Sequence, residues 1–258
     1  MAFDADRARA FVTSVDLTGT PRGLVSMGAE ADVGEVFDKA KTQAQVVGAG
    51  VFSFAQGVTA EVRAAISNSA LLAQLVANKK ASAESDPIAW FDAYSDVLQT
   101  IGWVLHDGGW ADYSASGTDV EVNEKIVDVL TVALGAAPAA LAIITATIEA
   151  LKAMSPDNPW ITIFSRESQK AKIARFQIGL VDKEENGDVF VSLLGCLIVA
   201  KNTITQVLFF KLKQADASFR ANNAKVSINR ASLTDLGPTI QARVRAYQFD
   251  YLSSIKDL

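Results

Sequence analysis

Cysteine and histidine occur once each in the 258 residues, as Cys196 and His106. One cysteine closes no internal disulfide and supplies no thiolate cluster for zinc. One histidine cannot form the paired-His motif of zinc proteases, and neither a GxxxxGK[ST] phosphate loop nor a GxSxG nucleophile elbow occurs. No metal site and no catalytic set is therefore assigned. Positive charge is also in deficit, with 24 Lys+Arg against 29 Asp+Glu and a formal net charge of −5. That balance argues against the basic face of a nucleic-acid binder and against docking on an anionic membrane by charge alone. The N-terminal stretch lacks the apolar core of a signal peptide, and Ala2 removes the N-myristoylation motif. The expected location is the bacterial cytoplasm without a cleavable signal peptide, with release or membrane association by another route.

Apolar residues are abundant: 50% of the chain is hydrophobic, 21% is charged, and the mean hydropathy is +0.20. Such a chain has ample material for one compact domain spanning 1–258. Asp4–Val15 reads as a short helix, and Val33, Val36, Phe37 and Ala40 have helical spacing. Val46–Phe54 is a glycine-softened apolar run, either a closely packed helix or a short strand. Thr59 opens a helix ending at Lys79-Lys80, where cations favour the macrodipole. Asp86-Pro87 opens another, expected to run through Ile101 and Val104 to about His106. Thr118–Glu121 has the form of a capping box launching a helix through Leu134, which Pro138 kinks before it resumes to Met154. Ser155–Pro159 stops it.

Beyond that stop the periodicity shortens. Ile173–Val181, Val189–Ala200, Ile204–Leu212 and Ala217–Ile228 read as strands, with Asn186-Gly187 as a hairpin signal. Pro238 sits in the first turn of a closing helix over about 238–256, striped by Ile240, Val244, Tyr247, Tyr251 and Ile255. The fold class is α+β: a helical region over 31–154, an antiparallel meander over 173–228, and a C-terminal helix. Weaker signals read as structure. Gly48-Ala-Gly50 lacks the rest of a dinucleotide fingerprint, Asp182–Asp188 lacks the ligand spacing of a calcium loop, and Lys170, Lys172 and Arg175 make a small basic edge.

Two greasy segments stand out. Val129–Ile148 is twenty uncharged residues, nominally long enough to span a bilayer. Seven alanines, Gly135 and Pro138 favour a kinked buried helix instead, with a membrane-inserting hairpin as the alternative. The second segment is Val189–Ala200, apolar on both faces and therefore covered on both sides. One side wants helices; the other wants a second helical layer, a second sheet or a lipid. Cys196 lies here as a small buried hydrophobe, a lipidation site or a nucleophile with His106 as its base. Gly195 beside it is expected to open room.

The layout, with Ser192-Leu-Leu-Gly-Cys196-Leu-Ile-Val-Ala200 in the C-terminal half, resembles the family of the Erwinia virulence factor Evf. The resemblance implies a virulence factor carrying a palmitoyl thioester on the matching position, Cys196, with the acyl chain in an internal apolar cavity. Leu194, Gly195, Ile198, Leu141 and Ile144 are the expected lining. The implied cofactor is covalent palmitate, and the implied partner is lipid or a host membrane in an insect host, with no nucleic acid. Roughly 10 kcal/mol separates such a chain in water from the same chain buried. The alternatives are a helical pore-forming toxin working through 129–148, and a cysteine enzyme of acyl thioesters.

Overall fold

A computed structural model describes residues 3–18, 43–113, 120–134, 138–154, 158–183, 188–207, 211–212, 216–228, 230–248 and 252–255. The helix expected around Val33–Ala40 and the Asn186-Gly187 turn lie outside these residues. The elements in chain order are α1 (Ala5–Ser14), β1 (Gln43–Val47), β2 (Gly50–Phe54), α2 (Ala60–Lys80), α3 (Pro87–Thr100) and β3 (Trp103–Asp112). Then come β4 (Val120–Glu121), α4 (Val122–Leu134), α5 (Pro138–Ala153), α6 (Pro159–Ser168), β5 (Gln169–Lys170) and β6 (Ile173–Lys183). The chain closes with β7 (Val189–Ala200), β8 (Lys211–Leu212), β9 (Ala217–Ile228), α7 (Arg230–Val244) and β10 (Leu252–Ile255).

The α+β class holds, and the sheet draws strands from both halves of the chain. Its order is β10-β1-β2-β6-β7-β9-β3, with β5 paired to one end of β6. Every pairing is antiparallel except β2 on β6. The long strands β6, β7 and β9 carry the expected alternation in register: Phe176 pairs with Cys196, and Cys196 with Ala221. Helices cover both faces. On one face α1, α2, α3 and α7 pack on Phe52, Phe54, Val181, Val191, Leu193 and Val226. On the other, α4, α5 and α6 pack on Phe176, Ile178, Leu194, Cys196, Ile198 and Phe219. The second cover demanded by the doubly apolar β7 is a second helical layer.

The expected helix starts hold where a side chain caps them. Asp4, Thr59 and Asp86 each accept a backbone N–H of the following turn. Other expectations are corrected. Val46–Phe54 is the β1–β2 hairpin, so the N-terminal region is not purely helical. The third helix stops at Thr100 because Gly102, at φ +95°, turns the chain. Val104 and His106 consequently belong to β3. The described residues Ile204–Val207 form no strand of the main sheet, since β7 pairs with β9 along its whole length. Ile204 and Val207 instead tuck into the second core, and Lys211–Leu212 form the short strand β8, paired with β4.

Glu121 lies in β4 rather than in a capping box, and the helix begins at Val122. Asn158 caps α6, whose first residue is Pro159, so the stop signal is also a start. The closing helix begins at Arg230, holds Pro238 internally and ends at Val244 with a 3-10 turn, Arg245–Tyr247. Ile255 is in a strand against Ala44. The 129–148 segment falls in two helices, α4 ending at Leu134 and α5 beginning at Pro138, and residues 135–137 of the expected bend lie outside the described residues. It is not buried all round: Val129, Leu130, Ile144 and Ile148 face the core, while Val132 is 77% exposed. No helix among the described residues is long and apolar enough to cross a membrane.

Candidate functional site

Cys196 occupies the middle of the sheet's second face. Alternation along β7 puts Leu194, Cys196 and Ile198 on that face, and register places Phe176 and Ala221 beside the thiol. Ile144 and Ile148 of α5, Val129 and Ile126 of α4, and Phe164 of α6 belong to the same buried cluster. Phe164 meets Phe176 edge-on at 5.9 Å between ring centres. Leu141 is half-buried against this cluster. Four of the five expected lining residues' positions therefore converge on one layer. Gly195 is the exception. Strand parity turns it to the opposite face, where a Cβ would stand 3.1 Å from Phe91 Cε1. It makes room for α3, not for anything next to the cysteine.

The thiol is free and fully buried, and burial pushes its pKa well above the ordinary thiol value. His106 does not reach it. That imidazole is exposed on β3, in register with Lys225, whereas Cys196 is in register with Ala221. Two strand spacings across and four residues along separate their backbones by roughly 16 Å. The cysteine–histidine pair that an acyl-thioester enzyme requires is not assembled. Among the described residues no cluster of His, Cys, Asp or Glu has the arrangement of a metal site.

Two open concavities among the described residues lie away from Cys196. The larger, about 640 Å³, runs between the end of α2, the α2–α3 loop and the α6–β5 corner, and Arg175 is in its wall. The smaller, about 220 Å³, is lined by Phe91, Tyr94, Trp110, Gln177, Gly195 and Asn222 among others. Neither touches Cys196. Arg175 was expected on a basic surface edge, yet it is 6% exposed. Its guanidinium lies 3.6 Å over the Trp90 ring, and Nη2 donates to Asn78 Oδ1 at 3.0 Å. Trp90 Nε1 donates to the same oxygen at 2.7 Å, and Trp90 stacks on Tyr94 at 5.5 Å. Burial lowers the Arg175 pKa to about 10, opposed by the Glu167 carboxylate, so it remains charged at neutral pH. The sequence signal for this residue was a charge inside a strand covered on both faces. Alternation with Phe176 and Ile178 assigns it to the first helical layer.

Fold and site together define a central, mostly antiparallel sheet between two helical layers, with a single thiol sealed under one of them. No family model and no curated protein matches the sequence. Among solved structures, one described as a delta-endotoxin matches over 83% of this chain and 91% of its own, at 12% identity and a TM-score of 0.35. Another, described as the structure of the Evf virulence factor, matches over 80% of this chain and 84% of its own, at 11% identity and a TM-score of 0.33.

Proposed function

We propose that this protein is a virulence or host-interaction factor that acts at membranes and carries a fatty-acyl thioester on Cys196. The observation that carries this is the position of the lone thiol. It is centred on an apolar sheet face, under a helical layer joined to that face mainly by apolar side chains. In forming the thioester, the Cys196 sulfur attacks the carbonyl carbon of an activated acyl thioester. The C–S bond to the donor breaks, and the donor thiol leaves with the proton. A fully buried thiol with a raised pKa cannot do this in the closed fold. Acylation therefore belongs to a state in which α4–α6 have moved off the sheet. A palmitoyl chain cannot be inserted into a close-packed interior without displacing side chains, so the chain acts as a wedge between layer and sheet. Its release into a bilayer is comparable in free energy to its burial in the protein, which makes the lipid the switch. Leu194, Ile198, Ile144 and, at the rim, Leu141 would line it.

Intact mass of the protein from its native host tests this. The expected result is an adduct of acyl-chain mass on Cys196 that hydroxylamine removes, with Cys196→Ser folded but unmodified and inactive on vesicles. An unmodified thiol together with a fully active serine variant overturns it. Dye release from vesicles by protein without an adduct would favour the pore-forming alternative, for which the exposed Val132 on α4 speaks.

A further inference from the structure

The cleft beside Arg175 is independent of the thiol, and Cys196 is not in its lining. We infer that it binds a compact organic acid or phosphate ester, whose oxyanion is taken by the Arg175 guanidinium. Arg175 enters the cleft from β6 with its flat face fixed by Trp90 and one end fixed by Asn78. Its Nε and Nη1 are buried and have no partner within the protein. A charged donor buried without an acceptor is costly, and a guanidinium suits carboxylate and phosphate oxygens.

The surrounding charge points the same way. Arg166, Lys170 and Arg175 line the cleft against two acids, Glu84 and Glu167. Both acids are already engaged, Glu167 with Arg166 at 2.6 Å and Glu84 with Lys170 at 2.7 Å. The five charges of the lining leave a net of one positive charge, and Arg175, which feels the Glu167 carboxylate through space, has two nitrogens without a hydrogen-bond partner. Ser168 Oγ, also buried and unpartnered, offers a further donor in the same wall. Gln169 Oε1 is a buried acceptor without a partner there, which suits a ligand with a hydroxyl or amino donor. Ala81, Ala83 and Ile173 supply the apolar remainder, and the volume is that of a small-molecule site. The Lys170–Glu84 pair bridges the rim, joining β5 to the α2–α3 loop.

Calorimetric titration of the full chain tests the inference, with inorganic phosphate, acetate, glycerol 3-phosphate and vesicles of phosphatidylcholine containing phosphatidic acid as probes. The expected result is saturable one-to-one binding of at least one soluble probe, tightest for glycerol 3-phosphate. Arg175→Met and, separately, Ala83→Trp should each weaken it by about tenfold or more. The tryptophan fills the cleft from its rim without disturbing the buried guanidinium, so it decides the matter even if Arg175→Met fails to fold. Binding only to the vesicles, lost in the same variants, would identify the source of the oxyanion as a lipid headgroup. Absence of saturable binding to all four probes, or binding unchanged in Ala83→Trp, overturns the site.

Discussion

The two faces of the sheet are held by different forces. On the first, directional polar bonds interleave with the apolar core. Gln74 bridges the β1–β2 turn, donating to Val47 O at 2.8 Å and accepting from Ala49 N at 3.0 Å. Arg63 of α2 donates to Gln43 Oε1 of β1 and Arg175 of β6 to Asn78 of α2, while within the layer Arg63 donates to Val58 O, Gln248 to Asn68 and Tyr247 to Leu17 O. The second face is joined to α4–α6 by apolar side chains, with the Ser53–Thr147 hydroxyl pair at 2.7 Å among its polar ties. Hydrophobic attachment is non-directional and tolerates sliding, whereas a layer stitched by buried hydrogen bonds opens only by leaving donors and acceptors unpaired. On the proposed function, the layer over Cys196 is the one expected to separate.

Breaking that attachment with a charge gives the largest expected effect. Ile144→Asp puts a carboxylate into the apolar layer and should cost about 3–5 kcal/mol in chemical denaturation. Val132→Asp, on the exposed side of the same helical pair, should cost under about 0.5 kcal/mol. Equal losses would mean that the outward face of α4 is itself packed. On the stitched face, Gln74→Ala should cost about 2–3 kcal/mol, since it strips partners from two buried backbone groups. A loss well below 1 kcal/mol would show that the polar stitching is not what distinguishes the faces. Cys196→Ser should cost about 1–2 kcal/mol, because a hydroxyl replaces a thiol with no partner at hand.

The thiol also sets a pH dependence on the second face. Its folded pKa is raised, so in the alkaline range the unfolded chain loses its proton first. The unmodified thiol's contribution is fully present below about pH 8.5, the ordinary thiol value, and is lost as pH rises above it. Denaturation midpoints of wild type and Cys196→Ser should therefore converge from pH 8 to pH 10, and parallel curves would contradict the burial. The smallest effect concerns Asp16, whose carboxylate is held well below the usual range by its hydrogen bond to Lys79. Its depressed pKa gives stability present above the unfolded carboxylate range and lost as pH falls below it. The pair is exposed, so Asp16→Asn should barely move the thermal midpoint at neutral pH.

What the sequence made legible follows from how local each determinant is. Strands β6, β7 and β9 were readable because alternation and length are written in their own residues, and the cover on both faces followed from β7 alone. Caps at Asp4, Thr59 and Asp86 are equally local. The strand at 103–112 was hidden behind a helical spacing that Gly102 interrupts, and β10 is a strand through its partner β1 rather than through its own pattern. Cys196, Leu194 and Ile198 could be assigned a common face by parity. That Ile144 meets them depends on how α5 docks, which no local rule encodes. Arg175 was misplaced because a cluster of three basic residues in sequence resembles a solvated edge. The strand's parity, given more weight, points inward.

The central claim is that the layer over Cys196 opens toward lipid while the other layer stays closed. Maleimide labelling of the unacylated protein, read by intact mass with and without lipid vesicles, tests it most directly. In buffer the buried thiol should be protected on the timescale in which urea-unfolded protein is fully labelled. With vesicles its labelling should accelerate by about tenfold or more, while amide exchange rises in α4–α6 and not in α2 or α3. Protection of Cys196 unchanged by vesicles, or exchange rising first in α2 and α3, would contradict the account.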